Sequence, residues 1–246
     1  MKSVEIIVDV GINHMGNMNI ARKLIHDAAE CRASICKFQW YSVQDLFNNP
    51  DKDTFRPDIY EVLKPFELNE EKIEKLMYWC EEDGIEFMCS VFDNERFEKL
   101  DRMGVKKHKV ASRVSKYDRL LAEKILKTGK QTFVSLGFGA EPFDTKKYPN
   151  CYHLYCVAKY PAEYSDFKMP KTFDWVDSDY YGFSSHASTP YPSMVALARG
   201  AKCIEVHFTM DKSMAALPGG FDHICSLDKT ELKQLVDFSK HAEKIK

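Results

Sequence analysis

Short β-favouring runs alternate with amphipathic helical patterns along almost the whole chain, and this alternation limits the folds that the chain can adopt. Strands separated by helices pair in parallel, because the crossover helix returns the chain to the same end of the sheet. Eight parallel strands in 246 residues predict an α/β protein, a single-domain (β/α)8 TIM barrel over residues 1–246. The eight runs fall at 4–10, 34–39, 85–90, 107–112, 131–136, 152–157, 180–185 and 202–207.

Most of the connections carry a helical pattern. Two of them are irregular, because 137–150 has no helical pattern and 40–68 is long and rich in Asn, Asp and Pro. Loops of that length are uncommon without a function such as a lid. An open doubly wound sheet is the structural alternative, but Gly11 to Gly16 lacks the glycine fingerprint that usually follows its first strand. The helical patterns fit best at 19–31, 70–83, 94–103, 117–128, 191–199 and 228–245.

Composition and charge argue against several classes of partner. The net charge of −2 gives no electrostatic reason to expect nucleic acid or an anionic membrane. No run approaches the roughly 20 apolar residues of a membrane span, and no signal-peptide core follows Met1. The eight cysteines are scattered through apolar runs without a CxxC pair, which predicts reduced core thiols. We therefore expect a cytoplasmic protein with no nucleic-acid or membrane partner.

Two histidines stand at the carboxyl ends of consecutive predicted strands. His186 ends the run before the helical stretch 193–199, and His207 ends the run after it. Adjacent parallel strands lie about 5 Å apart, so imidazoles at matching strand ends can share one metal ion. This edge is also where ligands bind in parallel α/β folds. The pair predicts a metal site, with two ordinary structural histidines as the alternative.

Other strand ends carry lysines, hydroxyls and carboxylates. Lysines and hydroxyls that converge suit a phosphate or carboxylate anion, and a buried lysine such as Lys37 is costly without an anionic partner. A solvated edge remains open for Lys109, and His14 is equally suited to lining the pocket or capping a turn. With the histidines, these groups predict a phosphorylated, carboxylated small molecule beside a metal. The strand-end candidates are Asp9, Lys37, Gln39, Ser90, Lys109, Ser112, Ser135, Tyr160, Ser184 and Glu205.

A series of short motifs runs in order from residue 9 to residue 227. The strings are DVGINHMG (9–16), CKFQ (36–39), FMCSVF (87–92), KVAS (109–112), VSLG (134–137), CVAKYP (156–161), GFSSH (182–186), EVHFT (205–209), LPGGFDH (217–223) and SL (226–227). The ordered set resembles the sialic acid synthase (N-acetylneuraminate synthase) family, whose members condense phosphoenolpyruvate with an amino-sugar aldehyde. The resemblance implies a reaction of this type, with phosphoenolpyruvate and a sugar aldehyde as partners.

The resemblance also implies roles for the matching residues. Asp9 stands where the family has glutamate, and Ser90 stands where it has threonine. His186 and His207 would hold a divalent metal, with Mn²⁺ preferred and Mg²⁺ or Co²⁺ as alternatives, which would polarise the aldehyde oxygen. Asp9 or Glu205 would carry protons. The phosphate and carboxylate of phosphoenolpyruvate would be held by Lys37, Lys109, Ser112, Ser135 and Ser184. The sugar side would be lined by Gln39, Tyr160 and Asp222, with Asp222 also a candidate catalytic acid or a cap of the final helix.

Three departures from the family pattern bear on function. Arg113 and Val114 replace a Gly-Glu pair whose glutamate is associated with catalysis, and Ala158 replaces a small polar residue. The family's C-terminal antifreeze-like domain has no counterpart in the sequence, which leaves a homo-oligomer as an open question. We expect a condensing enzyme with a changed acceptor. The alternatives are a barrel that binds phosphoenolpyruvate or a sugar acid without turnover, and a Schiff-base aldolase built on Lys37 or Lys109.

Overall fold

Eight parallel strands close into a barrel in the computed structural model, which describes residues 4–47, 57–173 and 178–245. Each strand pairs with the next along the chain, and the eighth pairs with the first. The predicted (β/α)8 barrel is therefore confirmed. The strands are β1 (Glu5–Gly11), β2 (Ile35–Trp40), β3 (Glu86–Val91), β4 (Lys107–Val110), β5 (Gln131–Leu136), β6 (Cys151–Cys156), β7 (Gly182–Ser185) and β8 (Cys203–Phe208), with a short β9 (Ser226–Leu227) beside β8.

Helices surround the barrel close to the predicted positions. The helix α1 buries one face with Ala21, Leu24 and Ala28, and it begins where the Asn17 side chain accepts two backbone N–H groups. The helices are α1 (Met18–Glu30), α2 (Val43–Phe47), α3 (Pro57–Leu63), α4 (Glu70–Glu82), α5 (Asn94–Arg102), α6 (Ser112–Tyr117), α7 (Arg119–Leu126), α8 (Tyr191–Ala198) and α9 (Lys229–Ile245).

Three predicted elements have boundaries that differ by two residues from the structure, and one of them is the strand expected at 180–185, which begins at Gly182. The helix expected at 117–128 is α7 alone, because the chain bends at Asp118, whose carboxylate caps α7 by accepting the Leu121 N–H. The strand expected at 107–112 ends at Val110, and Ser112 begins α6. The Ser115 hydroxyl fixes this turn, since it lies 3.0 Å from the Ser112 carbonyl oxygen and 2.6 Å from that of Ser135.

The two irregular connections also differ from each other. The segment 137–150 contains no helix, as expected. The segment 40–68 is not a plain loop, because it contains α2 and α3 on either side of 48–56, which lie outside the described residues. Across 4–47, 57–173 and 178–245, no helix has the length and hydropathy needed to cross a bilayer. All eight cysteines are buried and free, which confirms the prediction of core thiols.

The barrel interior is built in layers by every second residue of the strands. At the amino end, Lys107 binds Glu5 and Glu86, with its Nζ 3.0 Å from the Glu86 carboxylate. A middle layer is apolar and fully buried, and it separates this ion cluster from the carboxyl end. The third layer is polar, since the register sets Asp9 beside both Lys37 and His207. The middle layer consists of Ile7, Ile35, Met88, Phe133, Leu154 and Cys203.

Candidate active site

A cavity of about 260 Å³ lies at the carboxyl end of the barrel and contains most of the predicted site residues. A larger groove of about 830 Å³, between α4 and the segment 103–106 at the opposite end, contains none of them. Ser90 and Asp222 do not line the cavity but adjoin it through Lys37 and His207. The predicted residues that line it are Asp9, Lys37, Gln39, Lys109, Ser112, Ser135, Tyr160, Ser184, His186, Glu205 and His207.

Lys37 and Asp9 form an ion pair on the floor of this cavity. The Lys37 Nζ lies 2.7 Å from the Asp9 Oδ2 and 3.4 Å from the Ser90 Oγ, and both charged side chains are almost fully buried. Burial alone would raise the pKa of Asp9, but Lys37 and then His207 outweigh it and hold that pKa below its ordinary value. Asp9 is therefore ionised at neutral pH, and its Oδ1 is buried without a hydrogen-bond partner.

Lys109 is a second buried cation, so the solvated-edge alternative was wrong. Its Nζ donates to the Ser135 Oγ at 2.7 Å and lies 3.6 Å from the Glu205 Oε2. Burial lowers the pKa of Lys109 more than Glu205 raises it, and the positive charge of Lys37 lowers it further. Glu205 accepts a hydrogen bond from the Ser184 Oγ at 3.1 Å through Oε1, while its Oε2 has no hydrogen-bond partner.

His186 and His207 face each other beside the lysines, with ring centroids 5.4 Å apart. A metal ion about 2.1 Å from a ring nitrogen lies roughly 3 Å from that ring's centre, so two rings on one ion have centres about 4–6 Å apart. The His186 Nδ1 donates to the Val157 carbonyl at 2.7 Å, which leaves Nε2 as the ligand atom. The His207 Nδ1 is buried without a hydrogen-bond partner.

The donor set of the chain therefore fits one ion through two imidazoles. In the part of the chain that the structure describes, no group of three or more His, Cys, Asp or Glu is arranged to hold a metal. The remaining ligands would come from substrate or water. Burial lowers the pKa of His186, but the Cys156 thiol and the Val157 carbonyl raise it to about 8, so a proton would compete with a metal there.

Asp222 lies beside His207 at the edge of the cavity. Its Oδ2 is 3.7 Å from the His207 Nδ1, and the Oδ2 of Asp9 is 3.8 Å from the same atom. Asp222 does not cap the last helix, because Asp228 accepts the Glu231 N–H there. The alternative of a helix cap was therefore wrong, and the position next to His207 keeps Asp222 available to a ligand.

His14 caps a turn and does not line the cavity. Its Nδ1 accepts the Gly16 N–H at 3.0 Å, and the side chain is almost fully buried. The turn needs this support because both Met15 and Gly16 adopt positive φ angles. The open choice between pocket lining and turn capping is thus resolved in favour of the turn.

The sequence prediction missed most of the outer rim of the cavity. This outer collar is largely apolar, and Arg113 is its one cation among the described residues. Val114, by contrast, packs into the core with 3% of its surface exposed and does not line the cavity. Of the two residues that replace the Gly-Glu pair, Arg113 therefore changes the cavity wall and Val114 does not. The outer collar consists of Leu46, Phe92, Arg113, Phe138 and Tyr160.

Only weak sequence signals mark the rest of the outer collar. Phe92 directly follows β3, and Phe138 follows β5 by two residues with a positive φ that is unusual for a bulky side chain. Leu46 lies on α2, which has no amphipathic pattern long enough to identify. Cys156 was also missed as a neighbour of the site, although its Sγ accepts a hydrogen bond from the Ser112 Oγ at 3.2 Å.

Comparison with known proteins gives consistent matches. Residues 24–246 match the sequence profile of the NeuB family. The chain is similar to the N,N'-diacetyllegionaminic acid synthase of Legionella pneumophila, with 31% identity over 98% of this chain and 72% of that protein. It is also similar to the N-acetylneuraminate-9-phosphate synthase of Homo sapiens, with 30% identity over 94% of this chain and 68% of that protein.

A solved structure shares the fold. The N-acetylneuraminic acid (sialic acid) synthetase from Leptospira borgpetersenii serovar Hardjo-bovis, in complex with citrate, matches with a TM-score of 0.84. The match covers 99% of this chain and 85% of that one, at 24% sequence identity. Identity at this level supports the barrel architecture, and the relationship rests on the sequence matches.

Proposed function

This chain belongs to the NeuB family, and we propose that it condenses phosphoenolpyruvate with an amino-sugar or related aldehyde. The products would be a nonulosonic (sialic-type) acid and inorganic phosphate. The observation that carries the proposal is the cavity floor, where Lys37 and Lys109 are buried beside serine hydroxyls. Two buried cations with hydroxyl partners suit a small anion that has both a phosphate and a carboxylate.

The residues of the floor would hold phosphoenolpyruvate. Lys109 and Ser135 already share a hydrogen bond, so both groups point to one place where phosphate oxygens can replace it. Lys37 and Ser90 provide a second donor pair about one strand away. Ser112, at the start of α6, and Ser184, in β7, complete the set. Fixed donors of this kind stabilise phosphate charge throughout the reaction, which is often the largest electrostatic contribution.

We assign His186 and His207 to a divalent ion, with Mn²⁺ preferred and Mg²⁺ or Co²⁺ as alternatives. The support is the 5.4 Å separation of the two rings and the hydrogen bond that fixes His186. When bound, such an ion would polarise the aldehyde oxygen as a Lewis acid. Gln39 and Tyr160 would line the sugar side, with Asp222 adjoining it next to His207, and the Tyr160 ring centroid lies 4.0 Å from that of His186.

The two buried carboxylates would manage the protons. The enol carbon of phosphoenolpyruvate attacks the aldehyde carbon, and the aldehyde oxygen takes up a proton to become a hydroxyl group. Water adds to the carbon that bears the phosphate and gives up a proton. The C–O bond to phosphate then breaks, so that phosphate leaves and the hydroxyl group from water becomes the keto group. The Oδ1 of Asp9 and the Oε2 of Glu205 are buried without hydrogen-bond partners, so either oxygen can take the proton that the attacking water loses. The ion pair with Lys37 keeps Asp9 in the basic form that this step requires.

The test is release of phosphate from phosphoenolpyruvate by metal-loaded protein with a panel of amino-sugars and simple aldoses. We expect release that needs both an aldehyde and Mn²⁺, with a product whose mass equals aldehyde plus pyruvate. Binding of phosphoenolpyruvate without release for any aldehyde would instead support a binding barrel without turnover. That outcome would end the condensation proposal.

A Schiff-base aldolase is the second candidate, and one observation favours it. Burial lowers the pKa of Lys109, as a nucleophilic amine requires. The hydrogen bond to Ser135 and the nearby Glu205 carboxylate favour the ammonium form instead. Borohydride trapping of a keto-acid adduct on Lys109 without added metal would support the aldolase, and its absence would support condensation.

We also propose the cellular compartment and the partners of the protein. Eight free, buried thiols support a reducing compartment, so we propose that the protein works in the cytoplasm. The partners that we propose are phosphoenolpyruvate and a sugar aldehyde, without nucleic acid or membrane. A homo-oligomer remains an open alternative, to be decided by sedimentation of the purified chain.

A further inference from the structure

Arg113 crosses the mouth of the cavity. It is the second residue of α6, and its Nη2 donates to the Leu46 carbonyl of α2 at 2.5 Å, 67 residues away in sequence. The bond therefore joins the connection after β4 to the connection after β2. Both Arg113 and Leu46 line the cavity, so the link forms part of its wall.

The short helix α2 depends on contacts of this kind. Five residues are too few to form a stable helix alone. The Val43 N–H donates to the Glu67 carboxylate at 2.6 Å, and Asp45 lies 3.3 Å from the Arg96 guanidinium. Val43 is also fully buried in an apolar cluster against which Leu46 packs. Among the described hydrogen bonds and ion pairs of α2, the Arg113 bond is the one made by a partner residue that lines the cavity.

The volume of the cavity makes this link relevant to the acceptor. A volume of about 260 Å³ corresponds to about nine water molecules at roughly 30 Å³ each. Phosphoenolpyruvate held by the floor lysines would occupy most of that space. The reactive end of an aldehyde can enter beside it, but the remainder of a long acceptor must pass through the outer collar.

We propose that Arg113 is a positioning residue that limits the length of the acceptor aldehyde by fastening α2 across the outer collar. The proposal rests on the condensation reaction proposed above and adds a selectivity to it. Removal of the guanidinium frees the Leu46 carbonyl and widens the collar on the side of Phe92. Short acceptors, which end below the collar, gain little from this change, whereas long acceptors gain room.

The test compares Arg113→Ala and Arg113→Lys with the parent chain, using D-erythrose, D-arabinose and N-acetyl-D-mannosamine as acceptors of increasing length. In Arg113→Ala, we expect kcat/KM for N-acetyl-D-mannosamine to rise about tenfold relative to D-erythrose, with the KM for phosphoenolpyruvate unchanged. Arg113→Lys keeps a donor for the Leu46 carbonyl and restores part of the discrimination. Arg199→Ala is the matched control, because Arg199 also donates to loop carbonyls, of Met169 and Pro170, but lies outside the cavity.

Hydrogen exchange provides a readout that does not depend on catalysis. Arg113→Ala should speed amide exchange in α2, Val43–Phe47, while Arg199→Ala should leave it unchanged. Unchanged amide exchange in α2 of Arg113→Ala would contradict the claim that Arg113 holds α2 in place. Faster exchange with an unaltered ratio of kcat/KM for long and short acceptors would contradict the claim that Arg113 limits acceptor length. If no aldehyde is consumed by the parent chain, the condensation proposal fails and the acceptor limit fails with it. Faster exchange in that case would show that the fastening itself is correct.

Discussion

Lys37 and Asp9 meet on the floor of the barrel cavity, with the lysine Nζ 2.7 Å from the aspartate Oδ2 and both side chains withdrawn from solvent. They lie directly opposite each other in the register of β1 and β2. Each group keeps the other charged, since burial alone would discharge both, and the pKa of Lys37 is instead raised. Mutation of either residue therefore tests whether each charge stabilises the other.

Lys37→Met should lower the free energy of unfolding by about 3 kcal/mol, because it leaves the Asp9 carboxylate buried without its closest cation. Asp9→Asn with Lys37→Met should recover part of that loss, since both charges are then removed. Urea unfolding of the two single variants and the double variant at pH 7 gives the coupling energy directly. Additive effects would mean that the two groups do not support each other.

The turn at His14 should make stability depend on pH. Burial lowers the pKa of His14 to about 4, with a smaller contribution from the Lys72 charge, against 6.5 for an ordinary histidine. The unfolded chain thus binds this proton first, and stability falls as pH drops from 6.5 to 4, by up to about 3 kcal/mol. His14→Asn keeps an acceptor for the Gly16 N–H and should flatten this part of the profile. Denaturation midpoints at pH 7, 5 and 4 measure it, and parallel profiles for the two proteins would contradict the assignment.

The architecture was predictable because its signals are periodic. Eight β-favouring runs and their helices repeat along the chain, and a closed parallel barrel is the arrangement that buries all of them. Boundaries were less predictable where a single side chain decides them. The Ser115 hydroxyl ends β4 early and the Asp118 carboxylate divides α6 from α7, and neither contact has a periodic signature.

The cavity floor was predictable and the outer collar was not. Lys37, Lys109 and the two histidines occupy strand ends, where the fold fixes the direction of the side chain. The collar residues Leu46 and Phe138 come from connections whose course depends on tertiary contacts. Sequence comparison drew attention to Val114, but the side chain that reaches the cavity is that of Arg113. A substitution of this kind can be interpreted only once the direction of each side chain is known.

Loss of either proposed metal ligand should weaken metal binding. His186→Ala or His207→Ala should weaken Mn²⁺ binding at least tenfold, because each removes one of two imidazoles beside the floor lysines. His241→Ala, on the exposed face of α9, is the control. Free Mn²⁺ measured by electron paramagnetic resonance, with phosphoenolpyruvate present, separates binding from turnover. Equal Mn²⁺ binding by all three variants would contradict the assignment of His186 and His207 as metal ligands.

Glutamate at position 114 should not create a catalytic carboxylate. Val114 lies on α6 and is buried in the core, so the Glu side chain would lie in an apolar site that disfavours its charge. We expect Val114→Glu to lower the free energy of unfolding by about 4 kcal/mol, while the isosteric Val114→Thr costs less. Denaturant unfolding of both variants measures the difference. Unchanged stability with faster phosphate release would mean that position 114 does reach the cavity.

Two glycines beside the barrel should respond differently to a methyl group. A Cβ at Gly137 would lie 2.6 Å from the Ser112 Oγ and 2.8 Å from the Ser112 Cβ, so Gly137→Ala should displace the whole Ser112 side chain, and we expect a roughly tenfold loss of kcat/KM for phosphoenolpyruvate. A Cβ at Gly182 would lie 2.1 Å from the Cys203 carbonyl oxygen, where β7 and β8 pair. Because backbone cannot move aside as a side chain can, Gly182→Ala should cost about 3 kcal/mol of stability. Kinetics and unfolding of both variants separate the two effects, and a destabilised Gly137→Ala with unaltered kcat/KM would show that Ser112 does not contact phosphoenolpyruvate.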